Sequence, residues 1–296
     1  MTTAILLPSR FDIQTMSSFT RQVVSDEGEP RDNSFIFNFS SLYWIDGVGI
    51  TVFCNTIKWL LARGVACAFS GHLAPHSDAL LYLDDCGFFE EHLKERLRPV
   101  ARVRATTLPL TMVRQVDSYD WIERKFTPWM SNALLTPPAT LHCVKTCVAE
   151  LFQNIKDHST LESGYIHLQH YPKRDEVKIT VSDFGVGIPH RMKMAFGDMS
   201  DGEAIRKATL HGVTTRSREN NGGVGLNYLI ETVGANDGTV RIHSQRGAVF
   251  ARKDDGKTTA HVILGNGNYP GTLVDVMLRT DRFVGDENEE RGEVEW

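Results

Sequence analysis

The sequence predicts two adjacent folds of different class: an α/β domain over residues 1–97 and a two-layer α+β sandwich over residues 140–280. Three observations predict them. The first 97 residues alternate strand-like and helix-like segments, which is the pattern of a small, partly parallel sheet. After Leu141 a long helical pattern gives way to strands that become consecutive late in the chain, the order expected of an antiparallel sheet with helices on one face. A chain of 296 residues with 41% hydrophobic content can fill two cores of about 100 to 200 residues each.

In the first domain, Ala4 to Leu7 and Phe35 to Phe39 are apolar runs of strand length. Val48 to Ala62 carries an apolar stripe at helical spacing, Ala66 to Ser70 reads as a strand, and Ser77 to Cys86 as a helix ended by Gly87. Residues 98–139 read as a linker and lead-in element, because Pro99, Pro109, Pro128, Pro137 and Pro138 interrupt a short helix around Asp120 to Phe126.

The second domain opens with a helix through Cys143 to His158. Strands follow at Gly164 to Tyr171 and Val177 to Val181, then a stretch rich in Gly, Ser, Thr and Asn with a short helix around Glu203 to Thr209. A helix at Val224 to Val233 precedes strands at Thr239 to Ser244, Ala248 to Arg252, Thr258 to Leu264 and Thr272 to Leu278. The tail, residues 281–296, holds seven acidic residues against two arginines and is expected to be disordered.

Composition excludes some classes. A formal net charge of −5 leaves no basic surplus for a phosphate backbone, so no nucleic-acid partner is expected. Apolar runs are broken well before the ~20 residues of a membrane span, and Ala4 to Leu7 is too short for a secretory core, so a soluble, cytoplasmic protein is expected. The five cysteines, Cys54, Cys67, Cys86, Cys143 and Cys147, include no C-x-x-C pair, which argues against zinc and against a disulfide framework.

Chemistry concentrates in the second domain. At about 100° per residue, Leu141, Val144, Val148, Leu151, Phe152 and Ile155 share one arc of the first helix, while Glu150, Asn154 and Asp157 gather opposite. Glu150 and Asn154, at i and i+4, can converge on one ligand. Alone, this pattern is also that of an ordinary solvated face.

The following strand, alternating Val177, Ile179 and Val181, runs into Asp183-Phe-Gly185-Val-Gly187-Ile188. A carboxylate at a strand end can accept the exocyclic amino proton of adenine and would repel the carbonyl of guanine. Gly185 and Gly187 would let the backbone approach a flat base. Further on, Gly222-Gly223-Val224-Gly225-Leu226 leads into a helix, and backbone amides at a helix start bind anions. Before it lies a polar loop, His211 to Ser217, with Thr215, Arg216 and Arg218 within reach of a terminal phosphate as a lid. Thr272, after Gly271, opens the last strand, where its hydroxyl could support the base and its carboxylate.

In this order, these segments resemble the N, G1, G2 and G3 boxes of the GHKL ATPase superfamily. The resemblance implies the Bergerat ATP-binding fold, with ATP and Mg2+ as cofactors. It implies that Asn154 holds the metal, Glu150 acts as general base and Asp183 reads adenine, with the glycines shaping pocket and lid. His158, where the family's first box often ends in His, is read as structural. Competing nucleotide motifs fail: Gly256-Lys257-Thr258 lacks the P-loop's first glycine, because position 251 is Ala, and His190 stands where a Rossmann third glycine would be.

The first domain, with Phe35 to Ser41 leading to Asp46-Gly47-Val48-Gly49 and an apolar helix, is similar to a STAS domain, the fold of anti-sigma-factor antagonists. Residues 98–139 are too short and proline-rich for a histidine-kinase hairpin, and no lysine-bearing domain of the gyrase kind is expected after the last strand. The resemblance therefore implies the anti-sigma-factor-kinase branch: a partner-switching regulator, expected to be a Ser/Thr protein kinase acting on a separate protein. The alternative is an ATP-dependent switch or slow ATPase controlling partner or dimer contacts. Partners would bind through the STAS-like domain or the lid, and a homodimer is expected. Phosphorylatable antagonists carry Asp-Ser-Ser-Gly or Asp-Ser-Thr-Gly where this chain has no hydroxyl, so its first domain is expected to be a docking, oligomerisation or pseudosubstrate module. Intact Glu150, Asn154 and Asp183 argue against a pure interaction protein.

Overall fold

Alternating burial builds the N-terminal unit. In the computed structural model, which describes residues 2–73, 77–158, 163–213, 225–263, 265 and 267–283, strands β1 (Thr3–Leu6), β3 (Ser34–Asn38) and β5 (Ala66–Ser70) form a parallel sheet in the order β1-β3-β5. Strands β2 (Arg10–Phe11) and β4 (Trp44–Ile45) form a short parallel ribbon beside it. Helices α1 (Met16–Val23), α2 (Gly47–Ala62), α3 (Asp78–Asp85) and α4 (Phe88–Leu93) complete the unit. Its core is dense in phenylalanine: Phe37 and Phe53 meet edge to face at 5.3 Å, and Phe53 stacks on Phe88 at 5.2 Å. Each such buried ring contributes about 1.5–3 kcal/mol. Helix α2 starts where Asp46 accepts a hydrogen bond from Gly49 N at 3.1 Å, an N-cap that satisfies one of the free amides of the first turn.

The second unit is a seven-stranded sheet, antiparallel throughout, in the order β11-β10-β9-β12-β8-β7-β6. Its strands are β6 (Thr107–Arg114), β7 (Ser163–Tyr171), β8 (Glu176–Asp183), β9 (Thr239–Gln245), β10 (Gly247–Asp254), β11 (Lys257–Ile263) and β12 (Tyr269–Arg279). Along β8, Val177, Ile179 and Val181 face one side, where α7 (His142–His158) and α10 (Gly225–Ala235) cover them with Val148, Leu151, Phe152, Leu229 and Val233. Between β8 and α10 run α8 (Gly187–Phe196) and α9 (Asp201–Ala208). A reciprocal capping box of Ser200 and Glu203 starts α9, close to the helix expected at Glu203 to Thr209.

Three expectations are corrected. Residues 98–139 are more than a linker: β6 pairs with β7 as the edge of the large sheet, and α5 (Ser118–Trp121), a wide helical turn at Ile122–Phe126 and α6 (Thr127–Leu134) send Ile122, Phe126 and Met130 into the second core. The prolines mislead because Pro128 follows directly on the wide turn at Ile122–Phe126, and the helix carries on through it to Leu134 instead of ending there. Helix α8 is unannounced in the sequence, since its Met194 is exposed and its apolar period is weak.

The third correction concerns the far side of the sheet. Helices were expected on one face only, yet α2 lies on the other. Tyr165, His167, Gln169, Lys178, Thr180, Ser182 and Asp275 alternate with the apolar positions, and on this second face His167, Thr180 and Ser182 are each 1% exposed. Some of these polar groups are paired across the junction and some within the sheet, while His167 Nδ1 has no hydrogen-bond partner among the described residues. Tyr82 donates to Gln169 Oε1 at 2.5 Å, Thr107 donates to the same oxygen at 2.6 Å, and Thr180 donates to Asp275 at 2.9 Å. Helix α2 thus has two working faces. Val52, Phe53, Ile57 and Leu60 turn into the N-terminal core, and Gly47, Asn55 and Trp59 lie toward the second sheet.

No disulfide joins any of the five cysteines. Among the described residues no helix is long and apolar enough to cross a membrane. Phe283 packs against the second core, and the rest of the acidic tail, 284–296, lies outside the described residues.

Candidate functional site

Helix α7 buries Leu151, Phe152 and Ile155 and leaves Glu150, Asn154 and Asp157 half-buried on another face, as the helical period requires. Glu150 and Asn154 meet the start of α10. A Cβ on Gly225 would stand 2.9 Å from Glu150 Oε2 and 3.3 Å from Asn154 Nδ2, so only glycine leaves both side chains where they are. Burial, and then the charge of Asp157, raise the Glu150 carboxyl above its ordinary value. A carboxylate and an amide thus share the mouth of a helix N-terminus, where unsatisfied N–H groups favour anions. Asn227, two residues into α10, donates to Thr209 O at 3.3 Å and ties the helix to the end of α9.

The second cluster forms at the C-terminal end of β8. Asp183 is 4% exposed, and burial pushes its carboxyl up to about 7, although Gly185 N donates to Oδ1 at 2.7 Å and pulls the other way. Thr272 stands directly across the strand pair from Asp183 and is also paired with Ser244 on its other side. Ser244 organises the floor: its hydroxyl donates to Gly271 O at 2.6 Å, accepts from Ile188 N at 3.0 Å and lies 3.3 Å from Thr272 Oγ1. Gly187 (φ +77°) and Gly271 (φ +85°) are left-handed, and a Cβ on Gly187 would sit 2.7 Å from Ser244 Oγ. Gln245 donates to Val186 O at 2.8 Å and holds the loop against β9.

The two clusters share the second core, against which both Ile188 and Leu226 pack. Of the residues singled out in the sequence, Glu150, Asn154, Asp157 and Gly225 come together at one cluster. Asp183, Gly185, Gly187, Ile188 and Thr272 come together at the other. Thr215, Arg216, Gly222, Gly223 and Val224, with Arg218 and the His158 side chain, lie outside the described residues. The chemistry of the set is a buried acceptor at a strand end, and an amide with a carboxylate at a helix start. Its oxygens are hard donors of the kind magnesium takes, and among the described residues no group of three or more His, Cys, Asp or Glu is placed to hold a metal ion.

Residues 142–265 match the model of the histidine kinase-, DNA gyrase B- and HSP90-like ATPases. These residues form an ATPase domain of that family. No curated protein matches the sequence.

Solved structures similar to this chain include the DNA gyrase B-subunit of Myxococcus xanthus, at 11% identity and a TM-score of 0.29, with 54% of this chain and 42% of that chain covered. Another is the topoisomerase IV ATP-binding domain of Francisella tularensis with a small-molecule inhibitor, at 13% identity and 0.29, covering 61% and 46%. The ATPase and transducer domains of DNA topoisomerase II from Balamuthia mandrillaris follow at 13% and 0.25, covering 51% and 40%. The chain spans less than half of each.

The matched segment ends before β12, yet Gly271 and Thr272 of that strand complete the Asp183 side of the ATPase domain. Sequence reasoning misses Ser244 and Gln245, which no motif marks. The one available signal for Ser244 is a small polar residue ending a strand otherwise fit for a core.

Proposed function

We propose that this protein is an ATP- and magnesium-binding regulator of the partner-switching type that transfers phosphate to a Ser or Thr hydroxyl of a separate protein. The observation that carries the reading is the meeting of Glu150 and Asn154 with Gly225 at the start of α10, beside a match of 142–265 to an ATP-binding family. Domains of that family bind ATP, usually with magnesium. In this reading the buried Asp183 accepts the exocyclic amino proton of adenine, with the Thr272 and Ser244 hydroxyls at its edge. Asn154 holds the magnesium, which neutralises charge on the phosphates. Glu150, its carboxyl raised by burial, takes the proton of the acceptor hydroxyl.

An acceptor outside the chain is favoured by the start of α2. Gly47 and Val48 carry no hydroxyl, and Thr51 is 0% exposed. We read the N-terminal unit as STAS-like from its parallel β1-β3-β5 sheet and its Asp46-capped helix, and we assign it a docking or pseudosubstrate role. A homodimer, and a protein partner engaged through this unit or the lid, belong to the same reading. The alternative, a nucleotide-dependent switch without transfer, is favoured by one observation: Phe184, next to Asp183, packs into the N-terminal core, so nucleotide and N-terminal unit share a contact.

Labelled ATP offered with magnesium and candidate partner proteins tests transfer. A labelled Ser or Thr on the partner, absent with Glu150→Ala, is expected. Tight ATP binding with no label on any partner would favour the switch, and no nucleotide binding by the wild type would end both readings.

A further inference from the structure

The far face of the ATPase sheet is joined to the nucleotide loop through one aromatic cluster. Phe184, the residue after Asp183, meets Tyr269 edge-on at 5.0 Å and Trp59 of α2 edge-on at 6.1 Å. Ser182, the residue before Asp183, lies with its hydroxyl 2.7 Å from Tyr269 Oη. Asp183 is therefore gripped on both sides by contacts of a single tyrosine. That tyrosine is 2% exposed and belongs to the N-terminal core, together with Leu273 of the same strand.

Two further features make the grip rigid. Between Tyr269 and Thr272 the pairing of β12 with β9 slips, and Gly271 sits in that slip with its left-handed φ, closely overlying the Asp183 carbonyl. At the other end of α2, Lys178 Nζ lies 3.4 Å from Asp46, and a Cβ on Gly47 would stand 2.6 Å from His167 Nδ1. The helix is thus pinned to β7 and β8 at its start and to the Asp183 loop near its end. Arg63 lies over the outer face of the Trp59 ring at 4.4 Å.

We infer that Trp59 and Tyr269 are positioning residues for base recognition: through Phe184 and Ser182 they hold the Asp183 carboxylate at the place where adenine is told from guanine, making the N-terminal unit a component of the nucleotide site. The inference rests on the nucleotide reading above. The physical ground is that a hydrogen-bonding carboxylate discriminates only when its own position is fixed by packing around it. Such selectivity is large when a mismatched partner leaves a buried polar group unpaired. Loosening either ring lets Asp183 shift and spreads its acceptor over several positions, without touching Glu150, Asn154 or the start of α10.

The experiment is nucleotide titration of the full chain with ATP and with GTP, each with magnesium, for wild type, Tyr269→Phe, Trp59→Leu and Trp59→Phe. Tyr269→Phe and Trp59→Leu are expected to weaken ATP about fivefold, on the scale of one net hydrogen bond, with GTP little changed, so the ATP-to-GTP preference falls. Trp59→Phe, which keeps a ring against Phe184, is expected to retain that preference. The emission difference between wild type and Trp59→Phe isolates Trp59 and is expected to shift on adding ATP. A merely structural role would lower the melting temperature and leave both the base preference and the Trp59 emission unmoved. That result would overturn the inference while leaving nucleotide binding intact. A wild type that binds no ATP overturns the nucleotide reading and this inference with it. Should Trp59→Leu fail to fold, Tyr269→Phe, which removes a single oxygen, decides the question.

Discussion

Lys178 Nζ lies 3.4 Å from Asp46 Oδ2 across the junction of the two units, and the carboxylate is 1% exposed while the lysine keeps about a fifth of its surface in water. Asp46 is held above its ordinary pKa because burial outweighs the attraction of Lys178. The pair is therefore a compensation for a buried charge, and weak evidence of net stability.

Removing one partner should expose that imbalance. Lys178→Met leaves the Asp46 carboxylate buried without its countercharge and is expected to destabilise the fold by about 3 kcal/mol. Asp46→Asn combined with Lys178→Met should recover most of the loss, because no charge is then stranded. Urea unfolding of the two single variants and the double variant measures the coupling; an additive double variant would show that the pair does not interact.

This junction is also where the sequence is least legible. Glu150, Asn154 and Asp157 can be read because a helical period places them from local spacing alone. Asp183 can be read because a strand of alternating valine and isoleucine ends on it. The partners of those residues cannot: Ser244, Thr272 and Tyr269 reach Asp183 and its neighbours through strand register, which local spacing does not encode. Thr180, Ser182 and His167 are polar positions in alternation with apolar ones, and they are buried because α2 supplies a second cover whose own polar face, Gly47 and Asn55, looks unremarkable inside an apolar helix. Pairing of two polar faces leaves no hydrophobic pattern to find.

Gly47 offers a steric test of the same junction. Its Cβ position lies 2.6 Å from His167 Nδ1, and that ring is fully buried with Tyr82 Oη 3.3 Å from its other nitrogen, so it has little room to retreat. Gly47→Ala is expected to cost about 1–3 kcal/mol by overpacking. Gly47→Ser, which places a hydroxyl beside Asp46, is expected to destabilise similarly and to take up no label from ATP. Phosphate recovered on that serine would show that the junction opens and would refute a sealed helix start.

Asp183 makes the stability of the fold depend on pH. Its carboxyl is raised to about 7, so the folded state favours the protonated form; the stability this supplies is complete below about pH 4 and is lost as pH rises through 7. His167, lowered to about 3, and His243, lowered to about 4, act the opposite way, supplying stability above pH 6.5 that is lost on acidification. Comparing wild type with Asp183→Asn cancels the histidines. The amide stays neutral and can still accept from Gly185 N. The variant should match the wild type near pH 4 and become progressively more stable up to pH 8, by at most about 1.4 kcal/mol per pH unit. Its ATP affinity should fall more than tenfold. Melting curves between pH 4 and 8 check the first statement, and a difference that does not grow with pH would mean the carboxylate is well solvated.

Glu150 and Gly225 separate binding from chemistry. Glu150→Gln keeps the shape of the side chain and removes the base, so ATP affinity is expected to hold while the rate of γ-phosphate consumption falls by about 10²–10⁴. Gly225→Ala reaches the same end by another route. Its new methyl would stand 2.9 Å from Glu150 Oε2 and 3.3 Å from the Asn154 amide, and it is the flexible carboxylate that yields. The fold should survive, because what moves is a side-chain end at a half-buried position, while both the rate and the response to magnesium decline. In Glu150→Gln the magnesium dependence of ATP binding should persist, since Asn154 is undisturbed. In Gly225→Ala it should weaken, since the methyl crowds both groups. Equal magnesium dependence in the two variants would show that Asn154 takes no part in holding the ion, and the helix start would then be an anion site served by its backbone amides alone.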